Sequence, residues 1–408
     1  MTSRYASLTH DQLVKLVPEL LLMGQLIDRS GMAWCISSFG REAMLQIAIE
    51  EWMAASPIYT KRMQRALKYE GVDVITIFKG LQLDIGAPPQ FMDFRYIIHD
   101  RWNGEFYLDH CGALLDVEPM GEEYVRGMCH DIEDPTFDAT ALATNRKAQI
   151  RPIHRPPRVP SDRHPHCAWT VKIDESYPDV PDLPALEVMW RTKAAQLELD
   201  PIDESDEGAS DYSGPLVSDF DFASFSHSAL VRMADEVCLQ MHLLNLSFVI
   251  TVGARAGADT ALATDICTKQ LIGVAGIGAE RIHRALGLPG GIEGAVKVAE
   301  LHPLFNPVAY VDTEFGPDVI TVRRSPAHQD GAWASLVTPS EVRPLQAIVQ
   351  AIDPHLDVEV GGSDQEWTAR IIETDTAAKE LGEVAVVKFS GGASFEFEPR
   401  KSLPLTVV

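Results

Sequence analysis

Two stretches govern how this chain is read: LVKLVPELLLMGQLIDR at residues 13–29 and LVRMADEVCLQMHLLNL at residues 230–246. They align without a gap, 217 residues apart. Four shorter matches follow in the same order, each 219 residues apart: RMQRAL (62–67) with RIHRAL (281–286), HCGAL (110–114) with QDGAW (329–333), DPTFD (134–138) with DPHLD (353–357), and RPIH (151–154) with RIIE (370–373). One short match is weak, but an ordered series at nearly constant spacing signals an internal repeat. The expectation is two tandem diverged copies of one domain.

Each copy should open with two long helices, because apolar residues recur at helical spacing. In the first copy these span 13–31 and 41–67, the second with a break at Pro57. A third amphipathic segment covers 72–83. A hairpin is expected from 91–100 and 105–110 around Asn103-Gly104, with its counterpart at 308–313 and 319–324 around Gly316-Pro317. A helix at 122–131 and strands at 148–154 and 167–173 complete the unit. Helices first, then antiparallel strands with one late helix, give an α+β class. The N-terminal copy covers 1–174 and the C-terminal copy 220–408. Residues 175–219, rich in Asp, Glu and Pro, read as a solvated linker with one helix at 183–199.

The net charge of -24 argues against binding nucleic acid or anionic membrane surfaces, which need basic protein. The beginning of the chain lacks the pattern of a signal peptide, and the apolar run 13–27 is interrupted by Lys15, Pro18 and Glu19. A cytoplasmic protein is the default expectation, with its oligomeric state left open. The six cysteines are then reduced thiols or metal ligands rather than disulfides.

Candidate chemistry lies in the first copy, at His110, Cys111, Cys129, His130, His154, His164, His166 and Cys167. Thiolate and imidazole together suit zinc or another late transition metal, which puts Cys111, Cys129, His154 and Cys167 forward as ligands. The competing reading makes Cys111 or Cys167 a nucleophile with His154 as its base. A third reading is inert core, since Cys167 alternates with Trp169, Val171 and Ile173 on one apolar strand face. Arg151 and Arg155, in the basic segment 151–167, could hold a substrate carboxylate, or pair with the acidic linker. At a spacing of 219, Cys111, Cys129, His130 and His154 meet Asp330, Ile348, Val349 and Glu373. The second copy would then be a support without this chemistry. Glycine-rich phosphate loops in a strand–turn–helix context are not seen, which argues against a nucleotide cofactor.

A cysteine after a strand (Cys111), a second on a following helix (Cys129) and a polar run into a third, DRHPHCAWTVKI (162–173), resemble the L-2-amino-thiazoline-4-carboxylate hydrolase-like and 4-vinyl-reductase (V4R) group. The likeness covers about residues 70–175. It implies either a hydrolase that opens a small cyclic C–N ring or a module that binds a small apolar ligand beside a zinc site. The turn before Cys167 lacks the glycine usual in the group, and His154 stands where a cysteine often occurs. The expectation is a hydrolase of a small carboxylated or cyclic C–N compound. The alternative is a non-catalytic small-ligand-binding or scaffold protein with at most a structural zinc.

Overall fold

The computed structural model describes residues 2–181 and 183–405; residue 182 of the expected linker and residues 1 and 406–408 lie outside it. The chain is α+β, with a four-helix bundle and two four-stranded antiparallel sheets. Helix α1 spans His10–Phe39, with a capping box at Thr9 and Gln12. It continues past the expected end at residue 31, because the apolar face persists through Met32 and Cys35. Helix α2 (Arg41–Ala66) runs unbroken through Pro57. Proline removes one backbone donor, and here the packing of both faces of the helix outweighs that loss. Helix α3 is Val74–Leu81.

Strands β1 (Met92–Ile98) and β2 (Asn103–Cys111) form the first hairpin. Its turn is residues 99–102 rather than Asn103-Gly104, which already pair as strand; Asp100 accepts the Trp102 amide at 2.6 Å and closes the turn. Helices α4 (Gly112–Val117) and α5 (Glu122–Arg126) follow, then a π-helical turn at Gly127–Ile132, then α6 (Glu133–Leu142). Strands β3 (Ala148–His154) and β4 (Cys167–Ile173) complete a sheet ordered β1-β2-β4-β3. Its inner face, with Phe94, Phe106, Leu108, Cys167, Trp169 and Val171, is buried under α3 and α6.

The supposed solvated linker is not one. Helices α7 (Pro184–Trp190) and α8 (Lys193–Gln196) bury Leu186, Met189 and Ala194 against α2 and the next long helix. Tyr212 is buried too, its hydroxyl donating to Gln82 at 2.7 Å. Acidic side chains face solvent here while the few apolar ones anchor the segment.

The second half repeats the order: α9 (His227–Ala256), α10 (Thr260–Leu286), α11 (Gly291–Leu301), β5 (Thr313–Phe315), β6 (Val319–Arg323), α12 (Pro326–Asp330), α13 (Arg343–Ile352), β7 (Leu356–Ser363), β8 (Glu366–Glu373) and α14 (Gly382–Val387). Residues 308–312, expected as strand, lie before β5 outside any strand. The second sheet is ordered β5-β6-β8-β7, the same arrangement as the first. The sequence matches, however, lose register after the hairpin. Asp134-Pro135 opens α6, whereas Asp353 caps the end of α13; RPIH lies in β3, whereas RIIE lies in β8. The pairing of His154 with Glu373 therefore joins positions on different strands, and the contrast drawn from it falls.

The bundle does not divide at residues 174 and 220. Helix α1 packs on α10 and α9, and α2 packs on α9, within one continuous core. Helix α9 is long and apolar enough to cross a membrane, but it is mostly buried here by the other helices. The C-terminal segment returns to the first half, where Gly391 donates to Asp116 at 2.8 Å and Arg400 to Asp93 at 2.8 Å.

Candidate functional site

Cys111 ends β2 and caps α4, its sulfur accepting the Leu114 amide at 3.4 Å and lying 3.8 Å from the Met92 sulfur. Cys129 sits in the π-turn and Cys167 opens β4. All three are buried in the core of the first sheet, close enough to feel one another's charge and that of Glu133. Burial pushes Cys111 up to about 12 and the other two well above the usual thiol range. These are neutral thiols, poor nucleophiles as they stand.

His154 does not join them. It pairs across the sheet with Ala168, and neighbouring residues of a strand face opposite sides, so His154 is on the face away from Cys167. Among the described residues no group of three or more His, Cys, Asp or Glu side chains is disposed to hold a metal ion. The ligand set Cys111, Cys129, His154 and Cys167 is thus split between two faces, and the thiol–imidazole pair expected of a nucleophile is absent from it. His166 is buried, with its ring 4.9 Å from that of His164, and burial lowers it to about 4. His130 bonds the Pro156 carbonyl at 2.6 Å. Arg151 pairs with Asp138 at 2.8 Å, Arg155 with Asp134 at 2.5 Å and Arg158 with Glu118 at 2.8 Å. Their carboxylates lie between α4 and α6, not on the 175–219 segment. The arginines expected to take substrate hold the 151–167 loop against these helices instead.

A different group of side chains surrounds a cavity of about 90 Å³ between α1, α2, the loop after α3 and the start of α6. Gln25 and Asp28, three apart on α1, share one helix face. Tyr59 comes from α2, Asp84 from the loop and Glu133 from the first turn of α6. Two glycines permit this approach. A Cβ on Gly24 would lie 2.4 Å from Ile85, and one on Gly127 would lie 2.8 Å from Leu45. Without them the Asp84 loop could not rest on α1, nor the π-turn on α2. A π-turn re-aims the residues after it and often marks a functional site.

The walls of this chamber are poorly satisfied. Asp84 accepts the Tyr59 hydroxyl at 2.9 Å and the Gly86 amide at 2.7 Å. Gln25 and Asp28 are 5% and 4% exposed, yet Gln25 Oε1 and Asp28 Oδ1 have no hydrogen-bond partner, and neither does Glu133 Oε2. Both oxygens of Glu51, fully buried next to Asp28, receive no donor from any other residue, and the hydrogen bond open to them is a proton shared with the Asp28 carboxyl. Buried polar atoms are almost always bonded, so a cluster of exceptions requires an explanation. Burial pushes Glu133 up to about 8, against the pull of Arg155, and Asp84 up to about 6, against its hydrogen bonds. Glu51 is raised well above the carboxylate range, by burial first and by Asp28 second.

The second half carries other side chains at matching positions of its long helices. His242 and Asn245 stand 217 residues after Gln25 and Asp28, and Gln270 stands 219 after Glu51. Asn245 donates to Gln270 at 3.1 Å, and His242 bonds the Asn306 carbonyl at 2.9 Å. Burial lowers His242 to about 4, so it is neutral. The two carboxyl groups of the first centre are replaced by amides in the second, and the Gln25 amide by an imidazole. The expected contrast between halves is present, but at carboxyls rather than cysteines. Its signal was in the opening stretches: Gln25 and Asp28 interrupt an apolar run on the side of the helix that packs.

No family model matches the chain, and no curated protein or solved structure matches it.

Proposed function

We propose that this protein binds a small nitrogenous molecule whose N–H groups enter the chamber lined by Gln25, Asp28 and Glu133. One observation carries the proposal: the unpartnered atoms of these three side chains, all of which line the cavity, are oxygens. An unmet buried acceptor costs about 1–3 kcal/mol, and a ligand that brings donors recovers that energy. An amine, amidine or guanidine supplies such donors and a complementary charge. The chamber, rather than the cysteine pattern resembling the thiazoline-carboxylate hydrolase and V4R group, supports this reading. Zinc on the cysteines has no part in it.

The test is a thermal-shift and calorimetric titration with acetamidine and methylguanidine. Specific binding raises the melting temperature in proportion to ligand occupancy. Asp28→Asn should weaken binding at least tenfold, while acetate should not bind. Equal binding of acetate, or an unchanged affinity in Asp28→Asn, would sink the proposal.

A hydrolytic reading is favoured by the unequal acidity of Glu133 and Asp84 in the same cavity. At neutral pH the first holds its proton and the second is mostly ionised, an arrangement that separates acid from base. Asp84 would take a proton from water as the water oxygen bonds to carbon. Glu133 would give its proton to the departing nitrogen as the C–N bond breaks. Water is thereby added across that bond, and solvent returns the proton from Asp84 to Glu133. Glu133→Gln should abolish turnover of any substrate found while leaving the other carboxyls in place; retained turnover removes Glu133 from the role.

A further inference from the structure

The chamber shares part of its wall with a larger cavity. Asp28, Met128 and Ile132 line both, and the second, of about 690 Å³, opens on the surface. We infer that the ligand is an amphiphile, with its nitrogen head in the chamber and a straight apolar tail in this groove. The inference rests on the chamber being the binding site for the head.

Three observations support the tail. The groove has the size of a site for a drug-sized molecule, within roughly 300–1,000 Å³. Its walls are side chains such as Met32, Met44, Leu45, Met120 and Met128. Methionine is unbranched and deformable, so a methionine-lined wall accepts chains without demanding one shape. The rim is unusually apolar for exposed surface: Leu115 is 39% exposed, Met120 52% and Phe389 90%. Side chains of this kind, gathered at the mouth of one groove, mark a place that is covered in use.

The junction fixes which end goes inward. Arg29 lies there between two carboxyl groups, 3.2 Å from Asp28 and 3.3 Å from Asp116. One guanidinium against two carboxyl groups leaves a formal charge of minus one at the mouth of the chamber, ahead of the unpartnered oxygens within. A cationic head is drawn through this point and an anionic one is repelled. A third cavity, of about 610 Å³, touches the chamber on the other side at Leu81, Ala87, Met92 and Phe94. Its lining carries more charge than the groove's: Lys15, Glu19, Asp93, Asp219, Arg284 and Arg400 among others, against Asp28, Arg29, Arg41 and Asp116. That wall is a poor match for a hydrocarbon chain, which places the tail in the methionine groove.

The test is calorimetry on the full chain with butyl-, hexyl- and octylguanidinium, all below their micelle concentrations. Each added methylene buried in the groove should tighten binding, by up to about fourfold for ~0.8 kcal/mol per methylene. Asp28→Asn should weaken every member of the series. The double variant Leu115→Gln, Met120→Gln, altered only at the exposed rim, should shrink the gain from butyl to octyl by at least tenfold. Butylguanidinium binding with no dependence on chain length overturns the tail and leaves the chamber standing. Octanoate binding as tightly as octylguanidinium overturns the orientation. Failure of every member to bind overturns both the tail and the chamber.

Discussion

The two bundle centres use the same helix positions for opposite purposes. In the second half Asn245 and Gln270 bond to each other, and the atoms left over include a donor, Gln270 Nε2, as well as acceptors. In the first half Asp28 and Glu51 face each other as carboxyl groups, and the unpartnered atoms of Gln25, Asp28 and Glu133 are acceptors, with Arg29 donors beside them at the chamber mouth. The first arrangement is neutral. The second stores unfavourable energy in the folded protein, which is what a site prepared for a ligand does. On the proposed reading, stability and recognition are divided between the halves.

That contrast can be broken by exchange. Asn245→Asp places a carboxyl where no cation answers it, and should destabilise the fold by about 3–5 kcal/mol, the range for an uncompensated buried charge. Urea denaturation at pH 7 measures it, and a loss under about 1 kcal/mol would show that the second centre tolerates charge after all. The reverse exchange, Asp28→Asn with Glu51→Gln, relieves the crowded carboxyl pair but gives up the Asp28–Arg29 contact; it should remove binding of guanidinium ligands without loss of stability. If the double variant is less stable than the parent, the carboxyl pair is structural. A further effect is expected from pH. Glu133 titrates at about 8 in the folded chain against 4.5 for the ordinary group. Because the folded value is raised, its favourable contribution is complete below 4.5 and is lost as pH rises through 8. Glu133→Gln removes this loss, so the parent should lose stability relative to the variant across that window, by at most about 1.4 kcal/mol per pH unit. Parallel curves would place Glu133 in a more solvated setting.

Much of the architecture was legible because it rests on local periodicity. The long helices, the first hairpin, β3 and β4 all follow from apolar spacing of 3.6 or 2, and the alternation of Cys167 with Trp169 and Val171 correctly suggested a buried face. The turn of the first hairpin was misplaced because Asn103-Gly104 has turn chemistry, yet Asp100 closes the turn earlier. The π-turn has no composition of its own to announce it. The late repeat matches misled because short motifs such as Asp-Pro serve equally at the start of α6 and the end of α13. The chamber was invisible for a different reason. Asp28, Asp84 and Glu133 are distant in sequence, and single acidic residues attract no notice in a chain with 59 of them. Only the packing of α1, α2 and α6 gives them a common wall.

The pairing of α1 with α10 and of α2 with α9 has a consequence for how the protein is made. The first two helices leave the ribosome long before their partners exist. About 250 residues separate the start of α2 from the end of α10, and at ~5–20 residues per second their synthesis takes on the order of 10–50 s. Throughout that interval the nascent chain displays the apolar faces of α1 and α2 with nothing to cover them. This is a period in which chaperone capture competes with aggregation, and it closes only when the last long helix arrives.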